Sequence, residues 1–287
     1  MTLYPRRRGG VFLSQPSVIP GFGLAGGLAL FYFSLLVLLP LGVLVGRAGA
    51  LGAEALIHLL TEPRVAAALW TSFSLAVWAG LFNAVFGSIL AWVLVRYEFP
   101  GRSIVDAAID LPFALPTAVA GIALATLYAP QGWLGGILAP FGVTIAFTPL
   151  GIFIALVFVG LPFVVRTVQP VLHTLARDVE EAAATLGARR MTVLRRVILP
   201  PLLPAIVTGF ALAVARGIGE YGSVIFIAGN LPFRSEIAPL LIVIRLEEYD
   251  TQGAIAIAFI MLSLSLVFLL AINGLQSHMR RRLGHVR

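Results

Sequence analysis

From Leu111 to Val165 the chain runs for 55 residues without one charged side chain. No water-facing fold tolerates such a stretch, and it is too long for one membrane helix, which needs about 20 residues to cross about 30 Å of hydrocarbon. Pro130, Gly132, Gly135, Gly136, Pro140 and Gly142 interrupt it midway, so it divides into two spans joined by a turn-rich link. Two further charge-free runs lie between Arg8 and Arg47 and between Arg64 and Arg96.

The same measure gives six spans, at about Leu24 to Val45, Ala67 to Val95, Leu111 to Tyr128, Pro149 to Val168, Pro201 to Ala228 and Gly253 to Gln276. Composition agrees, since 11% of the residues are charged against about 25% in an ordinary soluble domain. Hydrophobic residues make up 59%. The expected fold is an all-α polytopic membrane protein. One transmembrane domain covers residues 23–277, after an N-terminal segment 1–22 and before a basic tail 278–287.

An even number of spans puts both termini on one side, and arginine placement says which. One side collects Arg6, Arg7, Arg8, Arg96, Arg102, Arg166, Arg177, Arg189, Arg190, Arg195, Arg196, Arg280, Arg281, Arg282 and Arg287. The other receives Arg47, Arg64, Arg234 and Arg245, and Arg216 falls within a span. Cytoplasmic flanks carry the excess of basic residues, so both termini are expected in the cytoplasm and the net charge of +7 is mostly a topology signal. Nucleic-acid binding would require those arginines on one soluble face and is not expected. Arg7 and Arg8 before Val11-Phe12-Leu13 resemble a secretory or twin-arginine signal. The apolar stretch that follows exceeds a signal core and no small-residue cleavage pattern closes it, so it reads as a retained anchor.

Absences narrow the chemistry. The chain has no cysteine, which excludes disulfides, thiolate nucleophiles and cysteine metal sites. All of its basic side chains except four histidines are arginine, so there is no lysine to reach nucleotide phosphates in a P-loop or to form a Schiff base. His58, His173, His278 and His285 are too scattered for a local metal motif. Neither a cofactor nor ATP is expected on this chain.

The segment Arg166 to Pro200 carries most of the loop charge. Leu172, Leu175, Val179, Ala182, Ala183 and Leu186 recur at helical steps, and Gly187 can end such a helix in the left-handed conformation. Met191, Leu194, Val197 and Ile198 begin a second helical pattern that runs to Pro200-Pro201. The expectation is a helix, turn and helix outside the membrane, flanked by Glu180, Glu181, Arg189 and Arg190. It could dock a partner or rest on anionic lipid as an interfacial helix.

Glu181-Ala182-Ala183, three residues, Gly187, nine residues and Val197-Ile198-Leu199-Pro200 resemble the EAA loop of permease subunits of binding-protein-dependent ABC importers. Val197 stands where that family commonly has isoleucine. The resemblance implies the importer-permease (MetI-like) fold and makes this hairpin the coupling helix. Glu181, Ala182, Ala183, Gly187, Leu199 and Pro200 would then face a separate ATPase, and ATP would be bound by two such partner subunits.

Leu111-Pro112-Phe113-Ala114-Leu115-Pro116-Thr117-Ala118-Val119-Ala120-Gly121 and Arg216-Gly217-Ile218-Gly219-Glu220-Tyr221-Gly222-Ser223-Val224, with Gly229-Asn230 and Ser235 to Ile242, are similar to the sulfate/thiosulfate permease family, its T-type subunit above its W-type partner. The likeness covers nearly the whole chain from Gly21. It implies a second, similar permease, a periplasmic sulfate- or thiosulfate-binding protein and a place in the bacterial inner membrane. Molybdate or tungstate permeases, which share the Gly-Glu-Tyr/Phe-Gly element, are the nearest alternative, although they look shorter and usually lack the first span.

These segments also have their own physics. Pro112 and Pro116 each remove a backbone donor, so the third span should be broken in its first turns. Exposed helix ends near the midplane are where transporters meet ions, and Thr117 could help replace an anion's water. A simple packing kink would look the same. Arg216 and Glu220, four residues apart, would pair on a helix. Intramembrane charges default to a functional reading, here an anion path or gate with Pro116, Thr117 and Tyr221, against a structural salt bridge at a subunit seam. Gly217, Gly219 and Gly222 match a dinucleotide-binding spacing, but no strand precedes them and close packing or a hinge explains them better. The loop after Gly229, with Arg234, Glu236, Arg245, Glu247, Glu248 and Asp250, reads as a solvated surface or as a receptor-docking face, and Pro239 with Leu240-Leu241-Ile242 suggests partial re-entry.

A self-contained anion secondary transporter would need its own coupling-ion site, and only the self-paired Arg216 and Glu220 are ionisable deep in a span. An intramembrane enzyme would need converging nucleophiles, bases or metal ligands. No such set is visible. The expected function is the sulfate-conducting, non-catalytic permease of an ATP-driven importer.

Overall fold

The computed structural model describes residues 22–283, which are helical almost throughout with no strand among them. The expected segment 1–22 therefore lies outside the described residues except for Phe22, as do the last four residues of the basic tail. Six helices among the described residues are long and apolar enough to cross a membrane: Leu24–Leu51, Pro63–Arg96, Thr117–Phe141, Pro149–Thr174, Arg190–Ile218 and Thr251–Gly274. The chain falls into two compact units, residues 1–50 and 51–287.

The first unit is the first span. Leu24 and Leu36 on it are both well exposed, as suits a surface solvated by lipid or by another protein. A π-turn, Ser34–Leu38, sits immediately ahead of Pro40. Widening the backbone by one residue there gives the proline ring room that a regular helix lacks.

In the second unit the second, fourth and fifth spans pack on one another, and glycine makes their close approach possible. A Cβ on Gly87 would stand 3.1 Å from Val164, one on Gly160 would stand 2.6 Å from the Asn83 amide nitrogen, and one on Gly209 would stand 2.7 Å from the Val164 backbone. Lipid supplies no hydrophobic drive for helices to associate, so van der Waals fit through small residues takes its place. Asn83, fully buried, donates its amide to the Val157 carbonyl at 3.1 Å across this crossing. Ile152, Ala155, Val164 and Val214 fill the interior, while Trp70, Trp78 and Ile89 face outward. At 34 residues the second span is about 50 Å long. It exceeds the hydrocarbon thickness and accommodates by tilt or protrusion.

The sixth span packs against the fifth and against the helix Ala238–Glu247. Asp250 caps its start, its carboxylate accepting the Gly253 N–H at 2.9 Å and satisfying one orphan donor of the first turn. Leu240 and Leu241 are buried, as the re-entry reading expects.

Several boundaries differ from the sequence expectation. The third span begins at Thr117, not Leu111, because Leu115 and Pro116 are both extended, with ψ of 135° and 132°. The residue before a proline is pushed out of the helical region, and Leu111–Ala114 is left as a single separate turn. The fourth span continues to Thr174, so Leu172 is buried at its end and does not belong to the hairpin. The fifth span starts at Arg190 and stops at Ile218, where Pro201 and Ala228 were expected. Its helix passes through Pro200 and Pro201 because a π-turn, Leu194–Ile198, precedes them, the same device used before Pro40.

Candidate functional site

Two interrupted helices meet inside the second unit. The fifth span ends at Ile218, Gly219 to Ser223 are non-helical, and a short turn Val224–Ile227 follows. That turn packs on the helix Thr117–Tyr128, which opens the third span. Two glycines allow a close approach on both sides of the contact. A Cβ on Gly121 would collide with the Ser223 carbonyl, and one on Gly222 would collide with the Thr117 hydroxyl. The Leu111 to Gly121 and Arg216 to Val224 segments, about a hundred residues apart in sequence, thus form one seam.

Arg216 and Glu220 pair at this seam, although not as neighbours on a helix. Arg216 occupies the last helical turn and Glu220 lies in the break beyond it. Glu220 is 2% exposed. One of its oxygens accepts both the Ser223 N–H at 2.9 Å and the Ser223 hydroxyl at 2.8 Å, leaving the other for the guanidinium. Three donors satisfy the buried carboxylate, as a buried charge requires. The Arg216 side chain is 36% exposed, so one flank of the guanidinium is open. Tyr221 packs partly buried against the core. Pro116 is exposed at the start of the third span, beside half-buried Thr117. Gly217 and Gly222 are close-packing positions, while Gly219 faces open space in the break.

The hairpin projects from one end of the bundle. Leu175 and Ala176 are extended, and the hairpin helix is Arg177–Thr185. Gly187, at φ 80°, ends it. The Gly187 N–H reaches the Ala184 carbonyl at 2.9 Å and the Ala188 N–H reaches the Ala183 carbonyl at 3.1 Å, the paired bonds of a Schellman motif. Ala183 and Ala188 turn toward the core, whereas Glu181, Ala182 and Leu186 are exposed, Leu186 at 88%. Leu199 and Pro200 lie within the fifth span's helix, outside the hairpin proper. Arg96, the last residue of the second span, donates to Glu180 at 2.6 Å and to the Leu175 carbonyl at 3.0 Å.

Nearby, Arg166 binds Asp110 through two nitrogens, at 2.6 and 2.9 Å, and Asp106 at 2.7 Å. Gln169 donates to Asp106 at 3.1 Å. The Gln169 amide and the Arg166 guanidinium hold the Asp106 carboxyl below its ordinary value, outweighing the opposite effect of burial. Asp106, Arg166 and Gln169 border an open cleft of 680 Å³ that also touches Arg102 and His173.

The opposite end is tied by other ion pairs. Arg64 grips Glu236 in a fork at 2.7 and 2.9 Å, and Arg245 donates to both oxygens of Glu62 at 2.8 and 2.9 Å. Glu236 is 2% exposed, so neither it nor Arg245 belongs to the solvated loop that the sequence suggested. Both fasten that loop to the start of the second span. Ser72 does the same by accepting the Ala238 N–H at 2.8 Å.

Residues 83–285, from the middle of the second span to the C-terminal region, match the family of the binding-protein-dependent transport system inner membrane component. The chain belongs to that family. Relatives over most of its length carry sulfate in their names. It is 47% identical to the sulfate transport system permease protein CysT of Salmonella typhimurium strain LT2 over 274 residues, covering 95% of this chain and 99% of the relative. The Synechocystis protein of the same name is 50% identical over 252 residues, covering 88% of each. Solved structures show the same fold. A bacterial ABC transporter involved in alginate import aligns with TM-score 0.73 at 17% identity, over 90% of this chain and 96% of that one. The methionine transporter MetNI in an inward-facing conformation aligns with TM-score 0.57 at 16% identity, over 79% and 99%.

For an inner membrane component of this family, the sequence placed the hairpin, the broken third span and the Arg216–Glu220 pair correctly as local features. It did not single out Ser223 as the partner of Glu220, Gly121 as a seam residue, or Arg96 as a partner of the hairpin. Small residues at 121 and 222 within apolar stretches were the available signal for the seam. For Arg96 there was only its place as the last residue before the helix ends.

Proposed function

We propose that this chain conducts sulfate, and thiosulfate with it, as one permease subunit of an ATP-driven, receptor-dependent importer. The observation that carries the reading is the likeness to sulfate permeases at close to half identity over nearly the full length of both chains. The chain itself is not the enzyme. Two partner ATPases bind ATP and dock on the exposed face around Glu181, Ala182 and Leu186, with Ala183 and Gly187 setting the hairpin's shape and Leu199 and Pro200 linking it to the fifth span. A second, similar permease completes the path. A periplasmic binding protein delivers the anion at the end of the bundle that carries Arg64 and Arg245. Both termini lie in the cytoplasm.

Closing of the ATPases would draw the hairpin inward and load the long helix Arg190–Ile218, whose far end is the Gly219 to Ser223 break. Arg216, Glu220 and Tyr221 would shift there against Pro116 and Thr117. Glu220 keeps Arg216 neutralised between turnovers, and the open flank of the guanidinium, with hydroxyls and helix-end N–H groups, offers transient partners to a doubly charged oxyanion. Weak and replaceable contacts let an ion leave as well as enter.

The test is uptake of labelled sulfate into proteoliposomes holding the complete complex. Uptake should require ATP and receptor, fall when thiosulfate competes and persist when molybdate is added. Glu181→Arg should abolish uptake and release the ATPase subunits. Competition by molybdate alone overturns the substrate, and uptake that persists without ATPase overturns the importer class.

A further inference from the structure

We infer that Arg96 is the positioning residue that passes the hairpin's motion directly to the second span. The inference rests on reading the hairpin as the ATPase-docking element. Arg96 joins three parts of the chain, its own helix and two others. It ends the second span, its Nη2 donates to Glu180 of the hairpin helix at 2.6 Å, and the same nitrogen donates to the Leu175 carbonyl at 3.0 Å. Leu175 is the extended residue where the fourth span gives way to the hairpin. The arginine therefore holds both the lever and its hinge.

The grip is built for stiffness. The Arg96 side chain is only 10% exposed, and its guanidinium lies 5.7 Å from the Trp92 ring centre, one turn back on the same helix. A planar fork fixed against an aromatic face loses little freedom when it bonds, unlike a flexible ammonium. Charge-assisted bonds of this length are among the stronger non-covalent ties. Without it, displacement of the hairpin would reach the bundle along the backbone, through the extended link on one side and the glycine turn on the other, and through the packing of Ala183 and Ala188 against the core. With it, the load enters a 34-residue helix that packs on the fourth and fifth spans. Arg64, at the other end of that helix, grips the Glu236 loop.

The experiment measures ATP hydrolysis and sulfate uptake in the same proteoliposomes, with the complete complex and its receptor. In Arg96→Gln and Glu180→Gln, hydrolysis should stay within about twofold of wild type while sulfate moved per ATP falls roughly tenfold, the size of a typical coupling between sites. Arg96→Glu combined with Glu180→Arg should recover much of what Arg96→Glu alone loses. Ser88→Ala, on the same helix and with a hydroxyl bonded to the Ala84 carbonyl of that helix, should leave the ratio unchanged. An unaltered ratio in both glutamine variants overturns the inference. So does a parallel fall of uptake, hydrolysis and assembled complex in both, which would make Arg96 a strut of the fold. A wild-type complex that retains no ATPase subunits overturns instead the docking reading, and the tie with it.

Discussion

Ser223 donates both its backbone N–H and its hydroxyl to a single oxygen of Glu220, which turns the carboxylate back toward Arg216. The pair exists because the helix stops at Ile218 and the chain folds under its own end. A carboxylate in that position is oriented by the loop and not by helical spacing, so any motion that straightens Gly219 to Ser223 also separates the charges.

Glu220→Gln leaves Arg216 without a counter-charge inside the bundle. Breaking a buried pair costs about 3–5 kcal/mol, and the open flank of Arg216 reduces this to about 2 kcal/mol by admitting water. The complex in detergent should melt earlier. Arg216→Met with Glu220→Leu should melt later than either single variant and still fail to transport. Thermal unfolding of wild type and these variants checks the first outcome and sulfate uptake checks the second.

Gly222→Ala should behave as a steric block, because its methyl group meets the Thr117 hydroxyl. Overpacking of this kind costs about 1–3 kcal/mol, enough to lower uptake roughly tenfold with the protein still inserted. Adding Thr117→Ala removes the nearest atom, leaving the position-117 Cβ at 3.0 Å, and should restore at least a third of wild-type uptake, roughly, if the contact is the cause. Failure of the second substitution to help would place the defect elsewhere in the loop.

Gly187 stands at φ 80° with nothing within reach of an added Cβ, so its constraint is backbone conformation and not space. Left-handed backbone costs about 1–2 kcal/mol for a residue with a Cβ, less for asparagine and more for a β-branched side chain. Retention of ATPase subunits on affinity purification should therefore rank Gly, Asn, Ala and Val in descending order. A ranking by side-chain volume alone, with Asn below Ala, would speak for a steric clash in the docked complex.

Asp106 bears on acid stability. Its folded carboxyl titrates below the unfolded value of 3.8, so its contribution is fully present above that value and is lost as pH falls through the folded one. Between pH 8 and 5, by the ordinary carboxylate range, Asp106→Asn should give a constant offset in melting temperature. Below about pH 4 the offset should shrink as the wild-type carboxylate protonates. The side chain is 44% exposed, so solvent screening keeps the effect small. Melting curves of the two proteins across that range test the sign.

Local physics made much of this protein legible from its residues alone. Hydropathy needs no partner, so the six apolar stretches and their arginine-rich flanks declare a membrane bundle. Backbone preferences are also local, which is why Pro116 announced the broken third span and Gly187 the end of the hairpin. Even the Arg216–Glu220 pair was visible as a spacing, although the helix that suggested it ends between the two residues. Tertiary structure decided the rest. Only packing could choose Ser223 as the donor to Glu220, set Gly121 and Gly222 against the other broken helix, bury Glu236 beside Arg64, or bring Arg96 to a carboxylate 84 residues away. The reason is physical: a span is selected by its own transfer free energy, whereas a buried charge takes whichever partner the assembled helices place within reach.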